Sequence, residues 1–159
     1  MDRSKIFLLM AIIAMTGCAW PVVASGQEPL GEDDPTIALL DGKVTQFLEQ
    51  VSLNEMESAY AELLSGSDLA RQSDEIEKLI QSTREIETKY GKYRSFERIA
   101  SRRIGSDLIT LKYLYKCENF PVIWRLTYYR DFKRGDAATT NNNWVVISVR
   151  FDTRIDTLE

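Results

Sequence analysis

The spacing of apolar residues changes period once along this chain, near Gly91. Before it, the period is helical. Ile37, Leu40, Val44, Phe47, Leu48 and Val51 follow the i, i+3, i+4, i+7 stripe of an amphipathic helix. Asp34-Pro35 supplies its start, an N-cap followed by proline at the first helical position. Asn54 with Glu57 three residues on reads as a second N-terminus. Met56, Ala59, Tyr60, Leu63 and Leu64 form the second stripe, which Ser65-Gly66 closes. A third stripe runs through Leu69, Ile76, Leu79, Ile80, Thr83, Ile86 and Tyr90, over about residues 69–90 or from Ser73, with Gly91 as its C-cap.

After Gly91 the period is two. It predicts strands over 94–104, 107–117, 120–131 and 143–152. Gly105-Ser106-Asp107 and Glu118-Asn119 make the first two turns, and Pro121 falls where a strand tolerates it, at the start. The stretch from Asp131 to Asn143 is long and polar and reads as a hairpin loop. One face collects Ile109, Leu111, Tyr113, Tyr115 and Cys117, then Phe120, Val122, Trp124, Leu126 and Tyr128, then Val145, Ile147, Val149 and Phe151. The other collects Thr110, Lys112, Leu114 and Lys116, then Ile123, Arg125, Thr127 and Tyr129, then Trp144, Val146, Ser148 and Arg150. Short turns make an antiparallel meander, and three apolar helices must cover its first face. The expectation is an α+β fold, with N-terminal helices packed on one face of a curved four-stranded antiparallel sheet.

The first 25 residues stand apart. Arg3 and Lys5 precede an apolar run from Ile6 to Met15, far short of the roughly 20 residues that span a bilayer. This is the pattern of an export signal, with cleavage near Val23-Ala24-Ser25 or Ala24-Ser25-Gly26. A competing reading takes Met15-Thr16-Gly17-Cys18 as a bacterial lipobox, with residues 1–17 removed and Cys18 lipidated as the only membrane attachment. Met15 fits that motif poorly, since leucine is usual there. Either way the chain is expected to be exported, periplasmic or secreted, or membrane-anchored through Cys18. Residues 26–34 read as a linker, 35–154 as the domain and 155–159 as a tail.

Export limits the chemistry. Cys117 is the lone cysteine of the domain, so no intrachain disulfide is expected, and at an apolar strand position it reads as a small core residue. Charge divides the chain. From 26 to 91 there are 15 Asp/Glu against 5 Lys/Arg; from 92 onward, 13 Lys/Arg against 8 Asp/Glu. Acidic helices and a basic sheet attract each other within one domain. A basic half also suits an anionic partner, though export argues against nucleic acid.

The order of helices then meander, with "AYAELLSGS" at 59–67, "YGKYRSFERI" at 90–99, "IGSDLITLKYLYKCENFPVIWRLTYYR" at 104–130 and "WVVISVRFDT" at 144–153, resembles the cystatin-like/nuclear-transport-factor-2-like superfamily. The likeness is to exported bacterial members of unknown function. It spans about residues 36–154 and carries no catalytic signature. It implies a cystatin-like cone, and members of that superfamily often dimerise through the sheet. The superfamily also holds ketosteroid isomerases and polyketide cyclases, so the fold does not dictate function.

Histidine is absent, which removes His-based triads, bases and metal sites. No phosphate-cradling glycine loop and no GxSxG elbow is present. No metal and no cofactor is expected. What remains for catalysis is a carboxylate with tyrosine in an apolar site, as in ketosteroid isomerases. The helix-facing strand register supplies Tyr113, Tyr115 and Tyr128 but no acid; Glu62 or Glu87 on the helices would have to provide it. The aromatic register is therefore either plain core or the wall of a small hydrophobic pocket lined by Tyr113, Tyr115, Trp124 and Tyr128. The opposite face, with Lys112, Arg125, Tyr129, Trp144 and Arg150, is a candidate interface for a homodimer or an envelope protein. The favoured expectation is a non-catalytic binding or interaction module of the cell envelope. The alternative is an isomerase- or cyclase-like enzyme.

Overall fold

A computed structural model describes residues 34–132 and 143–154. The export signal, Cys18, the linker up to residue 33, most of the polar hairpin loop and the 155–159 tail lie outside the described residues.

Helix α1 spans Pro35–Ser52. The Asp34 side chain accepts from the Thr36 N–H at 2.8 Å, satisfying one of the donors every helix leaves open at its start. The predicted stripe, Ile37 to Val51, is buried in full. The helix ends differently from expectation. Asn54 does not cap the next helix; it adopts a left-handed conformation (φ 63) just past the end of α1. The N–H groups of Asn54 and Glu55 return to the carbonyls of Val51 and Gln50, the double bond of a Schellman motif. Asparagine is the non-glycine residue that tolerates this conformation best, which is why a start signal in the sequence serves as a stop.

Helix α2, Met56–Leu63, then begins without a side-chain cap. A short 3₁₀ turn at Asp68–Arg71 precedes α3, Ser73–Tyr90, so the later of the two expected starts is the real one. Ser67 holds this turn in place: its hydroxyl accepts from the Leu69 N–H and donates to the Val146 carbonyl. α2 and α3 are joined by the buried Tyr60 hydroxyl and Thr83, 2.8 Å apart. Because Thr83 spends its proton on the Leu79 carbonyl, Tyr60 is the donor. Burial pushes the Tyr60 phenol up to about 12, so it stays a donor at any ordinary pH. Gly91 closes α3 with φ 88, and a Cβ there would lie 2.9 Å from Glu118 Cβ, so the predicted glycine cap is demanded twice.

The strands are β1 (Tyr93–Ile104), β2 (Leu108–Cys117), β3 (Val122–Arg130) and β4 (Trp144–Asp152), antiparallel and in the order of the chain. The inner register of β2 and the Val122–Tyr128 part of β3 is buried residue for residue as the alternation predicts. Phe120 is an exception. It precedes β3 in the turn, is 39% exposed and leans on Tyr90.

The larger correction concerns β4. Thr127 pairs with Ser148, but the next residue, Tyr128, pairs with Val146, leaving Ile147 as an extra residue. This bulge reverses the faces of the first half of the strand. Trp144 and Val146 turn toward the helices and are buried, whereas Ile147 is 43% exposed. Val149 and Phe151, beyond the bulge, face inward as expected. Trp144-Val145-Val146-Ile147 is an unbroken apolar run, so alternation had nothing there with which to choose a face.

β1 is an edge strand with two similar irregularities, one extra residue at Arg94 and one at Ile99. Bulges and the charges of Arg94, Glu97 and Arg102 guard an edge against pairing with another chain. Partnering with Ile109, Leu111 and Tyr113 puts Arg103, Ser101 and Arg98 on the helix side. There they meet the acidic side of α1: Arg103 reaches Asp34 at 2.8 Å and Arg98 reaches Asp41 at 3.3 Å. Partial burial works to raise the Asp34 pKa, but the hydrogen bonds from Arg103 and Thr36, with the charge of Arg103, outweigh it and hold the carboxyl below its ordinary value. The opposite charges of the two halves of the sequence thus close on each other along the β1 side of the domain. No helix among the described residues is long and apolar enough to cross a membrane.

Candidate functional site

The aromatic register divides into a filled part and an open part. Trp124 is fully buried, with Phe47 of α1 edge-on at 5.3 Å and Phe151 of β4 at 4.7 Å between ring centroids. Phe47 in turn meets Tyr60 edge-on at 5.1 Å. Tyr113 is buried under α1, with Phe96 at 6.4 Å, and its hydroxyl donates to Asp41 Oδ1. Burial, the Asp41 bond and the Asp41 charge all push its phenol far above the ordinary tyrosine range. Tyr115 stacks with Tyr93 at 4.8 Å and borders a void of only about 40 Å³, beside Cys117 and Ile86. Burial raises the Cys117 thiol, with the Glu87 charge adding to it, the opposite of what a reactive thiolate needs.

Tyr128 is different. It lies on the wall of a cavity of about 370 Å³ between the helices and the end of the sheet where β3 and β4 meet. α1 contributes Lys43, Gln46, Phe47 and Gln50; α2 and the turn after it contribute Ala59, Glu62, Leu63 and Ser65; β4 contributes Trp144, Val145 and Val146. Of the four residues expected to line a pocket, only Tyr128 borders this space. Trp144, expected on the opposite face, joins it there because of the β4 bulge. Gln46, Gln50 and Leu63 could not be foreseen, since their place depends on how α1 and α2 cross the sheet. Glu62 was a candidate acid, and it reaches the same cavity.

The polar groups of the cavity are unequally satisfied. Both oxygens of Glu62 are taken: Oε1 accepts from Gln46 Nε2 at 2.7 Å and Oε2 from Gln50 Nε2 at 3.1 Å. A carboxylate only accepts, so these bonds fix the orientation of both amides and turn the Gln50 carbonyl away from it. That carbonyl oxygen, the Tyr128 hydroxyl and the Trp144 indole N–H have no partner among the described residues, and none has surface that a water molecule in the cavity can reach. Leaving such groups unpaired costs about 1–3 kcal/mol each. Burial holds the Tyr128 phenol well above its usual range, so it remains a neutral donor. The guanidinium groups of Arg130 and Arg103 lie 5.4 and 5.8 Å from the Trp144 ring centroid.

The outer face of the sheet is the second candidate surface. Lys112, Arg125 and Arg150 are direct cross-strand neighbours, a row of three cations over β2, β3 and β4. Like charges placed opposite each other are unfavourable in a sheet, so this row needs anions or water around it. Tyr129, 42% exposed, lies beyond it opposite Val145. Arg125 Nε is buried and has no partner among the described residues. Among the described residues no group of Cys, Asp and Glu is arranged to hold a metal ion. Comparison of the chain with protein-family models, with curated proteins and with solved structures gives no match in any of the three.

Proposed function

We propose that the domain is a non-catalytic binding module of the cell envelope that holds a small ligand in the cavity between α1, α2, β3 and β4. The observation that carries this reading is the cavity itself, about 370 Å³ between the helices and the end of the sheet where β3 and β4 meet. A cavity of about 370 Å³ suits a small ligand, and its lining joins apolar groups (Phe47, Leu63, Val146) to polar ones (Lys43, Gln46, Glu62, Tyr128). The helices-then-meander order supports the likeness to cystatin-like proteins, and the apolar N-terminal run supports export.

The enzyme alternative has two carboxylate–tyrosine combinations, Asp41 with Tyr113 and, on the cavity wall, Glu62 with Tyr128. Asp41 is hydrogen-bonded to Tyr113 and paired with Arg98, and neither Asp41 nor Tyr113 borders the cavity. Glu62 borders it with both oxygens committed to glutamine amides. Self-association through the outer face is a separate proposal. A two-fold dimer on that face would have to offset the Lys112–Arg125–Arg150 row of one copy from that of the other.

A thermal-shift screen with small neutral aromatic and lipid-like molecules tests the ligand reading. At least one class is expected to raise the melting temperature. Leu63→Trp, which fills the cavity, is expected to fold and to lose that shift. A ligand-induced shift that persists unchanged in Leu63→Trp would place binding elsewhere.

A further inference from the structure

We propose that the outer face of the sheet docks on an anionic bilayer surface, its apolar row entering the headgroup region and its cation row meeting the phosphates. The strand register lays this face out in bands. Ile104, Leu108, Tyr129 and Val145 are successive cross-strand partners, one from each strand. They alternate with the buried Ile109, Tyr128 and Val146, so they point away from the helices. Ile104 and Tyr129 are 45% and 42% exposed, and the bulge residue Ile147, 43% exposed, adjoins them on β4. The next row is polar, Arg102, Thr110, Thr127 and Ser148, with the threonine hydroxyls 3.2 Å apart. Behind it comes the cation row of Lys112, Arg125 and Arg150. The acids Glu97 and Asp152 stand one row farther still, with Leu114 and Ile123 between them.

Apolar, hydroxyl, cation, acid is the order that an anionic bilayer selects. Aliphatic side chains and tyrosine settle at the boundary of headgroups and acyl chains. Four residues along a strand place the cation row about 13 Å behind the apolar one. Long basic side chains bend to close such a gap, their stems lying along the sheet and their charges reaching the phosphates. The acids are held farthest from the like charge of the lipid. A protein partner suits this face less well, because charged residues are scarce at the centre of protein interfaces and a second copy would bring an identical cation row. The chain also enters the domain at the apolar end: Asp34, just before α1, is held by Arg103, the neighbour of Ile104. A lipid on Cys18 would tether the domain by that same end. The contact is separate from the cavity, which opens between the helices and the inner face.

The test uses the exported chain carrying Cys18→Ser, which leaves no residue to lipidate, in co-sedimentation with vesicles of equal parts phosphatidylglycerol and phosphatidylcholine or of phosphatidylcholine alone. Binding to the anionic vesicles is expected, falling with added salt, and about a hundredfold weaker on the neutral ones. Arg150→Gln is expected to weaken it about fivefold, and Tyr129→Ser or Ile147→Ser about tenfold. All three side chains are exposed, so the variants should melt like the parent protein. Leu63→Trp, which fills the cavity, should bind the vesicles unchanged. No sedimentation with either vesicle, equal binding to both, or binding that ignores Tyr129→Ser and Arg150→Gln overturns the proposal. A solution dimer that Tyr129→Ser dissociates, with no vesicle binding, also overturns it and assigns the face to a second copy.

Discussion

Trp124→Ala is expected to destabilise the domain by about 3–5 kcal/mol, the largest effect of any single substitution in the sheet. Trp124 is fully buried at the centre of β3 and touches both layers: Phe47 of α1 above it and Phe151 of β4 beside it. Its removal forfeits the burial of the largest side chain in the core and leaves a hole that neither ring can fill without losing its own contacts. Phe47 also supports Tyr60, so the loss propagates into the α2–α3 layer. The indole N–H has no partner among the described residues, and the effect is one of packing. Urea unfolding followed by circular dichroism checks it. A midpoint lowered by about 2 M, with little change in slope, is the expected result. A change under 1 kcal/mol would mean that the helices do not close on Trp124.

Asp41→Ala is expected to cost about 2 kcal/mol, chiefly through what it leaves behind. Asp41 accepts from the buried Tyr113 hydroxyl and pairs with Arg98, and both partners belong to the sheet. Once the carboxylate is gone, Tyr113 keeps a buried donor with no acceptor. Arg98 retains a charge on the helix-facing side, although solvent reaches it and softens the penalty. Tyr113→Phe in the Asp41→Ala background should recover part of the loss, since it removes the orphaned hydroxyl. A double-mutant cycle by chemical denaturation is therefore expected to give a coupling of about 1 kcal/mol between the two positions. Strict additivity would show that the hydroxyl and the carboxylate do not meet in solution.

Most helix and strand positions were readable from the residues because they follow a local rule. The α1 stripe, the Gly91 cap and the inner register of β2 are set by neighbours in sequence. Where local signals are degenerate, the fold decides. Asn54 suits both a helix start and a left-handed stop, and the Schellman bonds to Gln50 and Val51 select the stop. Trp144 to Ile147 is apolar at every position, so only the pairing with β3 reveals the bulge and turns Trp144 inward. The candidate site inherits this limit. Tyr128 was legible as helix-facing, but its neighbours Gln50, Leu63 and Trp144 come from three other elements. Asp41 with Tyr113 and Arg98, and Asp34 with Arg103, are pairs far apart in the chain that no periodicity predicts.

The Trp144 indole N–H offers the most direct test of the cavity as the ligand site. It is a single resonance of a residue that lines the cavity, and the N–H has no partner among the described residues. In a titration with a ligand from the thermal-shift screen, it is expected to shift as the Trp144 ring meets the ligand, together with the backbone amides of Gln50, Leu63 and Val146. Shifts confined to Lys112, Arg125 and Arg150 on the outer face, with the Trp144 indole unmoved, would contradict the account.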